Sequence, residues 1–322
     1  MEFFTKLSVK AMEHRIAYGD RVLFLGSCFA EEVGRICRGL GFDAEINPFG
    51  TLYNPLSIAS SIDRMSCNQP FTSEEVIKVG EEFYCTFNHN NTFWDVSSHE
   101  LLTKVNHSLA RASEFWSDTK WVVISLGTSW VYHHLERNIC VANCHKLPAS
   151  QFQRIFLDVD QTYGILSEMI SKNPDKKFIF TVSPLRHLKD GLHGNQISKA
   201  ALLLAVDRVC KNHSNAFYFP AYEILLDELR DYRFYKPDMI HPSEQAVRYI
   251  WERFVDLAID ESQREAIMYV SRVRDMLHHR PFFEGSQTYE KFMLLREQKL
   301  EQIRRLYPLV VIDNLSGTID NH

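Results

Sequence analysis

Four short apolar runs recur along the first 220 residues, at 21–25, 121–126, 177–182 and 216–219. None alternates apolar with polar positions, and each stops at a turn residue: Gly26-Ser27, Gly127-Thr128-Ser129, Ser183-Pro184 and Pro220. Continuous runs of this kind are what parallel strands covered on both faces require. Between them lie segments with helical spacing, at 29–40, 56–65, 98–117, 158–172, 195–211 and 243–259. Strands alternating with helices predict a doubly wound parallel sheet of about five strands, an α/β fold built as a three-layer α/β/α sandwich.

The pattern weakens in three places. Glu82 to Phe87 predicts one strand of a small hairpin that turns at the Asn-rich stretch 88–91, and 130–155 reads as a long loop with little regular structure. After residue 260 the texture becomes helical. Ile267, Val270, Val273 and Leu277 form one apolar stripe, and Phe292, Leu295, Ile303 and Leu306 form another, with Pro281 and Gly285 between them. The chain therefore divides into a domain over 1–260 and a helical extension over 261–322. The extension either packs back on the domain or forms a homo-oligomer interface through its stripes.

Composition narrows the function classes. With 36 Lys and Arg against 41 Asp and Glu the net charge is −5, and no basic tract offers a footprint for nucleic acid. Seven cysteines, an odd number scattered from Cys28 to Cys210, argue against a disulfide scaffold and for a reducing, cytoplasmic setting. Leu25-Gly26-Ser27-Cys28 imitates a lipoprotein cleavage box. Only Val22 to Leu25 precede it as an apolar run, however, behind Glu13, Arg15 and Asp20. No segment approaches the roughly 18 apolar residues of a membrane span.

Candidate chemistry gathers at the strand ends, where open parallel sheets bind ligands. Ser27 lies between a buried strand and a helix start, a position suited both to a helix cap and to a nucleophile. Cys28 is a further nucleophile candidate, because a helix N-terminus lowers a thiol pKa. Asp238 and His241 sit three residues apart on a loop stiffened by Pro237 and Pro242. That spacing allows the carboxylate to fix the imidazole tautomer and leaves the other ring nitrogen free as a base. Arg186, His187, Lys189 and His193 form a short basic cluster suited either to an anionic substrate group or to solvent. Cys140, Cys144 and His145, with His133 and His134 nearby, lack the paired spacing of a zinc site, so no metal is expected. His145 and Lys146 are expected to line the cleft instead.

Gly26-Ser27-Cys28-Phe29-Ala30 spells the signature of the GSCFA family, which the chain resembles from its start to about residue 260. Asn47-Pro48-Phe49-Gly50-Thr51, Leu126-Gly127-Thr128-Ser129, Asn143-Cys144-His145-Lys146, Ser183-Pro184-x-Arg186-His187 and Asp238-x-x-His241-Pro242 look like further family blocks. That family is similar to the SGNH/GDSL hydrolases, α/β/α sandwiches that cleave or transfer acyl esters. The resemblance implies Ser27 as nucleophile, His241 as base and Asp238 as its orienting carboxylate, with no cofactor. The substrate class it implies is a small-molecule or carbohydrate O-acyl ester, and the acceptor either water or a sugar hydroxyl. Two departures from the hydrolase pattern stand out. No Asp separates Gly26 from Ser27, and Ser129 occupies the slot, counted from Gly127, where an oxyanion-hole Asn is usual. Either Ser129 or Asn54, with the Gly50 N–H, is expected to complete the hole. A binding protein that keeps this fold without efficient catalysis is the reading from another class.

Overall fold

The computed structural model describes residues 5–279, 283 and 286–316. In chain order the elements begin with β1 (Arg21–Gly26), α1 (Cys28–Gly39), β2 (Asp43–Ile46) and α2 (Pro55–Cys67). A hairpin β3 (Val76–Val79) and β4 (Phe83–Thr86) precedes α3 (Ser98–Ser117) and β5 (Thr119–Leu126). Then come β6 (Trp130–His134), β7 (Ile139–Val141), β8 (Phe152–Phe156), α4 (Val159–Lys172), β9 (Lys177–Val182), α5 (Gly191–Asn212) and β10 (Ala216–Tyr218). A helical turn α6 (Ala221–Glu223) runs on to α7 (Glu244–Ala258), α8 (Arg264–His278) and α9 (Gln287–Leu306).

Five strands form one parallel sheet in the order β10-β9-β5-β1-β2. Alternate residues of β1 and β5 feed two cores. Val22, Phe24, Trp121 and Val123 face one side with α1, α7 and α8, while Leu23, Leu25, Val122 and Ile124 face the other with α2, α3, α4 and α5. Burial on both faces explains why these strands read as unbroken apolar runs. It also makes the molecule the expected three-layer sandwich. The chain leaves β1 for β2 on one side and reaches β5 on the other. The topological switch point therefore lies at the carboxyl ends of β1 and β5, where open sheets bind ligands.

Three expectations need correction. The segment 130–155 is not irregular, because β6, β7 and β8 pair as an antiparallel three-stranded sheet. That sheet buries only one side, so its strands carry polar residues such as His133 and Gln153 and give no continuous apolar run. In the hairpin, β4 pairs along its length with the preceding β3 across a turn at 80–82, while across 88–91 the pairing is a single antiparallel bridge from Tyr84 to Asp95. In the tail, Ile267, Val270 and Val273 are buried as the stripe predicts, but α9 turns Leu300 and Ile303 inward and leaves Leu295 and Leu306 exposed. The tail packs back on the sandwich: the Val311 N–H donates to Gly41 O (2.8 Å), and Val310 and Leu315 join the core of α1 and α7. Pro281, Gly285 and residues 317–322 lie outside the described residues. No helix among the described residues is long and apolar enough to cross a membrane.

Candidate active site

Three strand ends and one loop converge at the switch point. Gly26 closes β1 with φ +128°, a conformation that L side chains rarely adopt, and a Cβ there would lie 2.2 Å from Ser125 O. This close approach brings Ser27 onto the end of β5. The Ser27 N–H donates to Ser125 O (3.1 Å), and the Ser27 and Ser125 hydroxyls share a 2.9 Å hydrogen bond. Ser27 also caps α1, accepting from the Phe29 N–H at 3.3 Å. The cap reading and the site reading thus describe the same hydroxyl, which is buried.

The 50–54 loop forms the adjoining wall. The Leu52 N–H donates to Gly26 O (2.9 Å), and Tyr53 O accepts from the N–H groups of Gly127 (2.8 Å) and Thr128 (2.9 Å). That loop packs tightly against Gly127. A Cβ there would stand 3.2 Å from both Tyr53 O and His187 Nε2. The Tyr53 hydroxyl meets Cys28 Sγ at 3.7 Å, and its ring stands edge-on to His187 with centroids 5.9 Å apart. Burial pushes the Cys28 thiol pKa up, and the Tyr53 hydroxyl offsets this only in part. That direction is opposite to the lowering a helix N-terminus gives an activated thiol.

The Asp238–His241 loop is held at the same rim. Asp238 Oδ2 lies 2.6 Å from His241 Nδ1, and Asp238 Oδ1 accepts the N–H groups of Ile240 (2.8 Å) and His241 (3.0 Å). The two N–H groups and then the imidazole hold the Asp238 carboxyl down at about 2. The carboxylate fixes Nδ1 and leaves His241 Nε2 free to act as a base. Two ties set the loop in place: the Arg186 N–H to Ile240 O (3.3 Å) joins it to the end of β9, and Lys236 to Glu32 (3.0 Å) joins it to α1. Ser27 and His241 make no direct hydrogen bond, since the Ser27 hydroxyl is turned to Ser125.

Several expected residues are engaged elsewhere. The Gly50 N–H donates to Asn47 O (2.7 Å) within its own turn, so it does not serve as an oxyanion donor. The Ser129 hydroxyl donates to Ser198 O (2.9 Å) and its N–H to Ser198 Oγ (2.8 Å), which leaves no donor for a substrate. His145 is buried among Trp94, Thr86 and Phe87. Its Nδ1 accepts from the Trp94 indole (2.8 Å), and its Nε2 donates to Thr86 O (2.8 Å). Burial lowers the His145 pKa, as suits a neutral structural imidazole. Lys146 beside it is exposed. Replacing Trp94 by Phe is expected to leave His145 Nδ1 unpaired and to cost about 1–3 kcal/mol in a thermal melt. The same variant should leave chemistry at Ser27 intact.

The basic cluster is divided. The Arg186 guanidinium stacks on the Tyr235 ring (4.2 Å from the centroid), Lys189 donates to the Tyr132 hydroxyl, and His193 is exposed. Burial first, and Lys199 second, hold the His187 pKa down at about 4. Its Nε2 is buried against Gly127 with no well-formed hydrogen bond among the described residues. Besides Asn47 Nδ2, which is buried without a partner among the described residues while Asn47 Oδ1 accepts the Gly26 N–H, three donors on the walls near Ser27 are the Cys28 N–H at the start of α1, the Thr51 N–H and Asn54 Nδ2. None of the three is bonded to another residue among the described ones, while Asn54 Oδ1 is used to cap α2. Among the described residues no group of three His, Cys, Asp or Glu side chains is gathered as a metal site.

Two contributors escaped the sequence reading. Tyr53 precedes the Asn54-Pro55 helix start in a turn-rich stretch, and Lys199 lies inside α5. The available signal was periodicity, because Asn195, Ser198, Lys199, Leu202 and Val206 share the buried stripe of that helix.

A buried serine at a strand-to-helix turn, and a carboxylate-backed imidazole on a loop tied to the end of β9 and to α1, mark a three-layer α/β/α protein with a candidate strand-end site. The chain belongs to the GSCFA family, whose profile matches residues 21–254. None of the curated proteins and none of the solved structures matches it.

Proposed function

We propose that the protein is a serine hydrolase acting on O-acyl esters of a small molecule or carbohydrate. The observation that carries this reading is the 2.6 Å Asp238–His241 pair, on a loop tied to the end of β9 and to the helix that Ser27 caps. Ser27 rotates from Ser125 toward His241, which takes its proton as the oxygen attacks the ester carbonyl. Such catalytic bonds often form only with substrate bound. The oxyanion is received by the Cys28 and Thr51 N–H groups and by Asn54 Nδ2. His241 then protonates the departing alkoxide, and water releases the acyl group from Ser27. These steps need neither a metal nor an organic cofactor. If a sugar hydroxyl replaces water in the second half, the same residues perform acyl transfer.

A second reading, a binding protein without efficient catalysis, is favoured by the Ser27–Ser125 hydrogen bond and the lack of a Ser27–His241 one. The test is hydrolysis of a panel of esters of graded acyl length together with acetylated sugars. Turnover of at least one chain length supports the hydrolase. Saturable binding of an acylated sugar with no turnover supports the binding protein.

A further inference from the structure

One turn of α5 reaches the two loops that follow β5 and β9. Asn195 Oδ1 accepts the His187 N–H at 2.9 Å. The Ser198 hydroxyl accepts the Ser129 N–H at 2.8 Å and lies 3.1 Å from Thr128 Oγ1. Lys199 is fully buried, and its Nζ donates to Gly127 O and to Ser183 O, each at 2.7 Å. Those two carbonyls are the first beyond β5 and β9. A lysine is very rarely buried without a carboxylate, yet Lys199 has no ion-pair partner among the described residues. The nearest aromatic face is Tyr222, 6.0 Å away.

Burial of an unpaired ammonium is costly, and burial lowers the Lys199 pKa to about 7. A methionine or leucine would fill the same space without that cost, so the polar contacts are the feature that distinguishes this residue. The Gly127 carbonyl that Lys199 holds belongs to the same peptide as the Thr128 N–H, and that N–H donates to Tyr53 O. Fixing one edge of the peptide fixes the other. The Ser183 carbonyl opens the segment that leads to Arg186 and His187.

We propose that Lys199 is a positioning residue for the Ser27 site. Through the Gly127–Thr128 peptide it holds Tyr53 against Cys28, and through Ser183 it holds the segment that places His187 beside Gly127. This role rests on the hydrolase reading for its effect on rate, but the geometry it maintains does not depend on turnover. Lys199 touches no reacting atom.

The test compares Lys199→Met and Lys199→Gln with the full-length wild type. One readout is acylation of Ser27, followed as kcat and KM for the best ester of a chain-length panel and as the rate of labelling by a fluorophosphonate. The other is NMR of the Thr128 amide and of the His187 imidazole. Methionine removes both hydrogen bonds. Glutamine keeps an amide donor but reaches one bond short of bridging the two carbonyls. With Met, kcat and the labelling rate should fall about 10- to 100-fold while KM stays within about threefold, the signature of misplaced rather than missing groups. With Gln the fall should be at least about fivefold. In both variants the Thr128 amide resonance should move, and the His187 titration midpoint should rise as the neighbouring charge is lost. A variant that melts as a folded protein but retains wild-type kcat, labelling rate and His187 titration overturns the proposal. If Met prevents folding, Gln carries the same test. A wild type that neither turns over nor labels overturns the hydrolase reading instead, and the NMR comparison alone then decides the role of Lys199.

Discussion

Alanine in place of Ser27 is expected to lower kcat/KM for ester hydrolysis at least about a thousandfold. The same substitution should cost stability on the order of 1–2 kcal/mol. The two effects have separate causes. On the proposed mechanism the activity loss follows from removing the nucleophile, because the Asp238–His241 pair then has no hydroxyl to deprotonate. The stability loss follows from the native bonds of that hydroxyl, the cap on the Phe29 N–H and the buried 2.9 Å bond to Ser125. Steady-state kinetics and a thermal melt on the same preparation measure both. Activity within tenfold of wild type would remove Ser27 from the chemistry. An unchanged melting temperature would instead contradict its role as cap.

Gly26→Ala is expected to be the most damaging single methyl group at this site. Its Cβ would meet Ser125 O at 2.2 Å and Ser125 C at 2.9 Å, both backbone atoms of the neighbouring strand in register with Gly26. The φ of +128° adds backbone strain whatever space is made. Overpacking and strain together should cost roughly 3–5 kcal/mol, a fall in Tm on the order of 5–10 °C by differential scanning calorimetry. Any alanine variant that does fold must push β1 away from β5, which carries Ser27 with it. Activity should therefore fall by more than the loss of folded protein explains. A variant with wild-type Tm and activity would mean that the turn does not need its glycine.

How far the sequence could be read depended on where each element's partners lie. β1, β5 and β9 were legible because burial on both faces demands unbroken apolar runs. β2 was not, because as an edge strand it carries Asp43, paired with Arg21, and Glu45, paired with Arg38 and Arg111. The half-exposed sheet of β6, β7 and β8 was hidden for a related reason. At the site, the Asp238–His241 contact was legible because an i,i+3 spacing on a Pro-bounded loop is a local matter. The family blocks put Gly50 and Ser129 at the oxyanion hole and His145 in the cleft, yet their hydrogen bonds go to Asn47, Ser198 and Trp94 respectively. For Ser129 and His145 those partners are 69 and 51 residues away, which no local pattern encodes. Lys199 shows the same limit, since a lysine on a buried helical stripe signals an unusual partner without naming it.

In the proposed mechanism Ser27 is a nucleophile activated by His241. This is tested most directly by treating the wild type, Ser27→Ala and His241→Ala with a fluorophosphonate and mapping the adduct by peptide mass spectrometry. The expected result is a single adduct on the peptide that contains Ser27 in the wild type, none in Ser27→Ala, and labelling slowed at least about a hundredfold in His241→Ala. Folded wild-type protein with no adduct on Ser27, or labelling of Ser27 at the same rate without His241, would contradict it.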